Sequence, residues 1–194
     1  MAVRLTGGDD ITPEVKAFMS RYGVRGYPTL YVMNADGHVV VSKVGRTVDA
    51  MLKALADGEK AETEFAEARK KSDPDGRKAF VALLKTRMAW DDLAAILETD
   101  VKAAPSADAY AELARTYGSA GRGADERATL EKAASLYPDA KDRTAWRIRL
   151  ATMDTDPSTA TSRDEHAKLS AGAASALDGL LAKLVEEKDT VGAV

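Results

Sequence analysis

The sequence predicts an α+β unit of about three strands and two helices, followed by an all-α region of helical hairpins. Three observations predict it. Residues 1–50 hold 6 of the 14 glycines, 4 of the 36 alanines and 14 Val, Ile or Thr residues, and alanine dominates from about residue 51 onward. β-branched residues favour strands and alanine favours helices, so this shift marks a change of architecture. The turn Asn34-Ala35-Asp36-Gly37 separates two branched apolar runs, and beyond it turn residues recur between segments of helical periodicity.

The first half reads as strand, helix, strand, strand, helix. Residues 2–6 (AVRLT) form a short strand closed by Gly7-Gly8. Thr12 before Pro13 is a helix N-cap with proline at the first helical position. Val15, Phe18, Met19 and Tyr22 then recur at helical spacing until Gly23 ends the run. Residues 29–33 and 38–44 are paired strands of a hairpin across the Asp36-Gly37 turn. Val48, Met51, Leu52 and Leu55 supply the apolar face of a closing helix.

The second half predicts helices near 59–71, 76–88, 90–103, 107–119, 123–136, 142–152 and 163–187. The breaks fall at Asp73-Pro74-Asp75-Gly76, Pro105-Ser106, Gly121 to Gly123, Pro138-Asp139 and the polar stretch 154–162. The resulting division is an α+β unit over 1–57, a helical region over 58–153, a linker over 154–162 and a C-terminal helix over 163–188. The helix at 163–187 carries Leu169, Leu177, Leu180, Leu181 and Leu184 as a face to pack on the helices before it.

Composition closes several function classes. The 194 residues include no cysteine, which excludes a disulfide, a thiolate nucleophile, a thiolate zinc site and an iron–sulfur cluster in this sequence. With His38 and His166 alone, a multi-histidine metal centre is not expected, and no metal or cofactor is assigned. His38 is expected to be exposed on its hairpin. A net charge of −3 gives no global basic field, so neither nucleic acid nor an anionic membrane is the expected partner. No apolar stretch approaches the roughly 18 residues of a membrane span, and MAVRLTGGDD has no apolar signal region. The expected compartment is the cytoplasm by default, or a secreted or periplasmic one if a segment upstream is missing.

The run Tyr22-Gly23-Val24-Arg25-Gly26-Tyr27-Pro28-Thr29-Leu30-Tyr31-Val32, followed by Asn34 to Gly37 and then Gly45, closely resembles the C-terminal half of the thioredoxin fold. The resemblance covers about residues 2–57. It implies a cis-proline at Pro28 and a substrate-facing loop of Tyr27, Pro28 and Thr29, in which Tyr27 would pair with the backbone of a bound peptide. A cis X-Pro bond costs only about 0.5–1 kcal/mol; the alternative is an ordinary trans proline opening a strand. The family's Cys-x-x-Cys unit precedes the matched region and has no counterpart here. The expectation is therefore a truncated chain, with Met1 internal to a longer protein. The alternative is a domain that re-pairs its strands or borrows one from a partner.

Residues 107–140 resemble a single tetratricopeptide repeat. Tyr110, Leu113, Ala114, Tyr117, Gly121, Leu130, Ala133 and Pro138 occupy signature positions, and Glu126 departs where alanine is usual. Small residues let paired helices approach, large ones fill the seam, and proline ends the second helix. A preceding pair carries Phe80, Val81, Leu84, Leu93, Leu97 and Pro105, with Pro105 and Pro138 33 residues apart against a usual period of about 34. A plain bundle of helical hairpins is the alternative. In a solenoid, Lys78, Lys85 and Arg115 would line a basic groove for an acidic or C-terminal peptide; otherwise they are solvated charges.

Two functions follow. One is the downstream part of a thioredoxin-like protein, whose family activity is thiol–disulfide exchange or protein-folding assistance, itself inactive for want of cysteines. The other is a redox-inert scaffold that binds a protein or peptide through helical repeats.

Overall fold

The computed structural model describes residues 12–26, 28–153 and 163–191. It is mostly helical, with one small antiparallel sheet. The elements run α1 (Pro13–Arg21), β1 (Val32–Met33), β2 (Val39–Val41), α2 (Val48–Lys70), α3 (Pro74–Thr86), α4 (Trp90–Ala103), α5 (Ala107–Ala120), α6 (Gly123–Leu136), α7 (Arg143–Met153) and α8 (Arg163–Val191). The expected strand at 2–6 and the linker at 154–162 lie outside the described residues.

The helix starts obey local chemistry. Thr12, Thr47, Asp73 and Ser106 are N-caps whose side-chain oxygens accept from the backbone N–H three residues on. Each satisfies one of the donors that a helix start leaves unpaired. Pro74 supplies a pre-set φ at the start of α3. Gly121 closes α5 with φ +77, a left-handed conformation that only glycine adopts without steric cost.

The hairpin is shorter than its sequence suggests. Val32 pairs with Val41 and Met33 with Val39, an irregular register that leaves two and three residues in the strands. Val44 N–H still reaches Leu30 C=O at 3.3 Å, so pairing continues raggedly past Val41. Two tyrosines tie α1 to this hairpin. Tyr22 donates its hydroxyl to Gly37 C=O at 2.8 Å, and Tyr31 donates to Tyr22 C=O at 2.8 Å.

One expectation is corrected at α2. Separate helices near 48–55 and 59–71 are one helix, so position 57 lies in its middle. The helix turns Ala54 and Gly58 inward, and a Cβ on Gly58 would sit 3.4 Å from Val32 and 3.7 Å from Val40. The hairpin needs a small-residue face to approach the helix closely. The predicted apolar face is therefore the outer one: Val48 is 71% and Leu52 61% exposed, with Met51 and Leu55 beside them.

From α2 to α8 each helix packs on the next. The core runs through α3 to α7, with Leu84, Leu93, Leu97, Leu113, Leu130 and Trp146 buried and joined in one cluster. Leu84 and Leu93 are fully buried, each contributing about 1.5–3 kcal/mol. Glu126, on α6, is buried between α5 and α7. Arg149 donates to both its carboxylate oxygens, at 2.7 and 2.8 Å. Gly118 makes the room, since a Cβ there would stand 2.9 Å from Glu126 Oε2. On α8, Leu181 is exposed, contrary to a packed role for it.

Arg87, at the end of α3, joins the two halves. Its side chain is 4% exposed. It donates to Glu62 Oε1 and to Ala61 C=O, both at 2.8 Å, and lies 4.1 Å from the Phe65 ring centroid. Its own C=O accepts from Val39 N–H at 2.8 Å. Nearby, α1 is held by Trp90 Nε1, which donates to Arg21 C=O at 2.9 Å, and by Arg21, which pairs with Asp91 at 2.8 Å.

Arg87→Ala should lower stability by about 2–3 kcal/mol in urea unfolding, because a desolvated cation–π contact and two hydrogen bonds are lost while half-exposed Glu62 can rehydrate. Arg87→Lys should recover less than half, since an ammonium cannot reproduce the planar fork. Gly118→Ala should cost about 1–2 kcal/mol alone but stabilise by about 0.5–1 kcal/mol in a Glu126→Ala background, a sign change measurable in a double-mutant cycle.

Candidate functional site

The residues singled out from sequence do not converge. Tyr27, and with it the bond to Pro28, lies outside the described residues. Pro28 and Thr29 are exposed, and Thr29 Oγ1 donates to Gly26 C=O. Lys78 is exposed on α3. Lys85 and Arg115 do meet, across α3 and α5, but at a shared carboxylate: Glu112 lies 2.5 Å from Lys85 Nζ and 3.2 Å from Arg115. Burial would push Glu112 up, yet the two cations hold it below the usual carboxylate range. Two of the three charges assigned to a basic groove are thus engaged with an anion of the same chain.

His38 also departs from expectation. Its side chain is only 12% exposed, and Nε2 stands 3.8 Å from the Asp92 carboxylate. The hairpin tip packs against the start of α4, so an alternating strand position that looks outward is roofed by another element.

A different concavity is present on the array. A groove of about 440 Å³ runs between α4 and α6, floored by α5. Val101, Pro105 and Ala128 give it apolar walls, with Tyr110, Leu113 and Tyr117 set along the floor. The two rings are seven residues apart on one helix, about 10 Å at 1.5 Å per residue. Polar groups stand on the rim: Glu98 and Asp125, and the lysines Lys102 and Lys132, with buried Thr129 below them.

The Tyr117 end of the groove is a closed network. Tyr117 hydroxyl donates to Glu98 Oε1 at 2.7 Å, and Arg122 donates to Asp125 at 2.7 Å and lies 3.9 Å from Glu98. The Arg122 guanidinium also covers the Tyr117 ring at 4.5 Å. Burial first, then the Glu98 carboxylate, push the Tyr117 phenol up to about 12. At the Tyr110 end, Lys132 Nζ stands 5.7 Å from the ring centroid, and Tyr137 packs on the same ring at 6.0 Å.

Sequence reading identified Tyr110, Leu113 and Tyr117 as seam fillers but not as a floor. A seam residue and a groove residue share one periodicity, and the gap between α4 and α6 exists only once both are packed on α5. Among the described residues, no group of three or more His, Asp or Glu could hold a metal ion, and no helix is long and apolar enough to cross a membrane. Comparison of the chain with protein-family models, with curated proteins and with solved structures finds no match.

The raised Tyr117 pKa sets an alkaline limit. An unfolded tyrosine ionises near 10 while the folded phenol keeps its proton to about 12, so the stability this group contributes is intact below pH 10 and lost as pH rises to 12. Phenolate absorbance should show a late phase near pH 12 that is absent in Tyr117→Phe, and the variant should lose less stability across that interval.

Proposed function

We propose that this chain is a redox-inert binding scaffold, in which a tetratricopeptide-like array holds a segment of a partner protein. The single observation that carries the reading is the α4–α6 groove, which combines an aromatic floor, apolar walls and a polar rim. Such a surface buries side chains and orients them by a few polar contacts. The sequence has no thiol with which to perform dithiol exchange. Glycine at the α5–α6 turn, buried Ala114 and Ala133 in the helix seam and proline after α6 support the repeat reading.

A second reading, a piece of a thioredoxin-like oxidoreductase, is favoured by one specific observation. The order α1–β1–β2–α2, with Tyr22 closing α1 against the Gly37 turn of an antiparallel hairpin, is the order the resemblance implies for the family's later elements and supports this reading. On that reading the chain would contribute substrate contacts and no redox chemistry of its own.

Ala128 is exposed on α6 and lines the groove, so Ala128→Arg blocks it without entering the core. Selection from a random displayed-peptide library on the immobilised chain should yield a consensus whose binding falls by about tenfold or more in Ala128→Arg, with an unchanged circular dichroism spectrum. Equal binding by the variant would overturn the scaffold reading. Insulin reduction by the purified chain should be blank, and turnover would overturn its redox-inert half.

A further inference from the structure

Among the described residues, four of the eight exposed large hydrophobic side chains share two turns of one helix: Val48, Met51, Leu52 and Leu55, at the start of α2. Their spacing of i, i+3, i+4 and i+7 makes one stripe. Apolar residues scattered singly on a surface are ordinary, whereas a contiguous patch marks a contact. The helix cannot rotate to bury this stripe. Ala54 and Gly58, on a different side, hold the close approach of Val32 and Val40, and Phe65 lies under the Arg87 guanidinium.

Charge specifies what covers the stripe. Lys43 and Arg46 stand just ahead of it, before the Thr47 cap, and Glu59 stands one turn beyond it. All three are exposed, and among the described residues none of them has an ion-pair partner. On the flank, Lys53 and Asp57 satisfy each other at 2.5 Å. The open charges are therefore positive at one end of the stripe and negative at the other. A partner of a single charge sign suits only one end. An anionic bilayer, which needs a basic rim around an apolar face, is disfavoured by Asp49, Asp57 and Glu59. A second copy laid antiparallel suits both ends at once. Val48 then faces Leu55 of the other copy, Met51 faces Leu52, and Glu59 meets the segment that carries Lys43 and Arg46. A parallel copy would set like charges together. We propose that the start of α2 is a homodimer contact, in which two copies of this chain pair their stripes antiparallel about a two-fold axis between Met51 and Leu52. The face from Val48 to Glu59 is about 18 Å long and 10–12 Å wide, at the low end of specific interfaces, so the dimer forms reversibly. None of its residues lines the α4–α6 groove, so the contact is independent of the scaffold reading.

The absence of native cysteine permits a clean cross-linking test. Leu52→Cys places two thiols beside the axis. Val48→Cys places them seven residues apart, about 10 Å along the helices and beyond the roughly 7 Å that a disulfide spans. Under copper oxidation Leu52→Cys should form covalent dimer at least about tenfold faster than Val48→Cys, and Val48→Cys mixed with Leu55→Cys should cross-link as a mixed pair. Equal rates for Leu52→Cys and Val48→Cys would overturn the antiparallel arrangement. Sedimentation velocity of the native full chain over about 1–300 µM should show a monomer–dimer equilibrium, weakened at least about tenfold by Leu52→Glu. Leu52 is 61% exposed, so the variant should keep its circular dichroism spectrum. Glu59→Lys alone should also weaken association, and mixing it with Lys43→Glu, Arg46→Glu should restore it. A native chain that stays monomeric throughout, or a dimer that Leu52→Glu leaves unchanged, would overturn the proposal.

Discussion

A guanidinium removed from water must find partners for its donors, and Arg87 finds them on two turns of α2. That requirement fixes α2 against the end of α3. The chain then turns sharply, with Met88 at φ +53, which presents the Arg87 carbonyl to β2 instead of burying it in a helix. Val39, 2% exposed, donates to that carbonyl. One residue therefore sets the position of a helix through its side chain and of a strand through its backbone. The hairpin, having only two strands of its own, depends on this external anchor, because an isolated hairpin is marginal in water.

The rest of the array follows by succession. Trp90 and Asp91, just past that turn, catch the end of α1, so the N-terminal helix is secured where α4 begins. Each later helix then buries its small and large residues against its neighbour. The Glu126–Arg149 pair shows how a polar group is accommodated in such a seam: a glycine on one side admits the carboxylate, and an arginine on the other neutralises it. Removing charges from water is costly enough that a pair of this kind argues for specific register more than for added stability. The groove is a by-product of the same succession. Fixing α4 and α6 on opposite sides of α5 leaves their outer faces apart.

Much of the fold was legible wherever short-range chemistry decides. Thr12 announces a helix start because a side-chain oxygen three residues ahead of a free N–H is a local event, and Asp73-Pro74 and Pro105-Ser106 announce breaks whose Asp73 and Ser106 prove to be caps of the same kind. Asn34 to Gly37 announces a turn for the same reason: Asn34 Oδ1 accepts from the N–H groups of Asp36 and His38. The apolar stripe of α2 misled because periodicity reports that a face exists, not that anything covers it. Gly58 gave no apolar signal, yet its missing Cβ is what lets the hairpin approach. His38 gave an alternation signal that α4 overrides. The candidate site was the least legible feature. Lys85 and Arg115 look like a basic face until Glu112 is seen between them, and Lys102 and Lys132 stand thirty positions apart with nothing local to relate them.

The sequence by itself determined the absence of thiol chemistry in these 194 residues, the change from mixed to helical architecture, and the approximate positions of the helices from α3 to α7 with the turn residues that separate them. These depend on side-chain inventory and on contacts within one or two turns. Only the tertiary structure decided which face of α2 is inward, how Glu126 is tolerated, which charges cancel and where a concavity remains. Those outcomes are set by pairs distant in sequence, whose energies depend on separation and burial that exist only after the helices have packed.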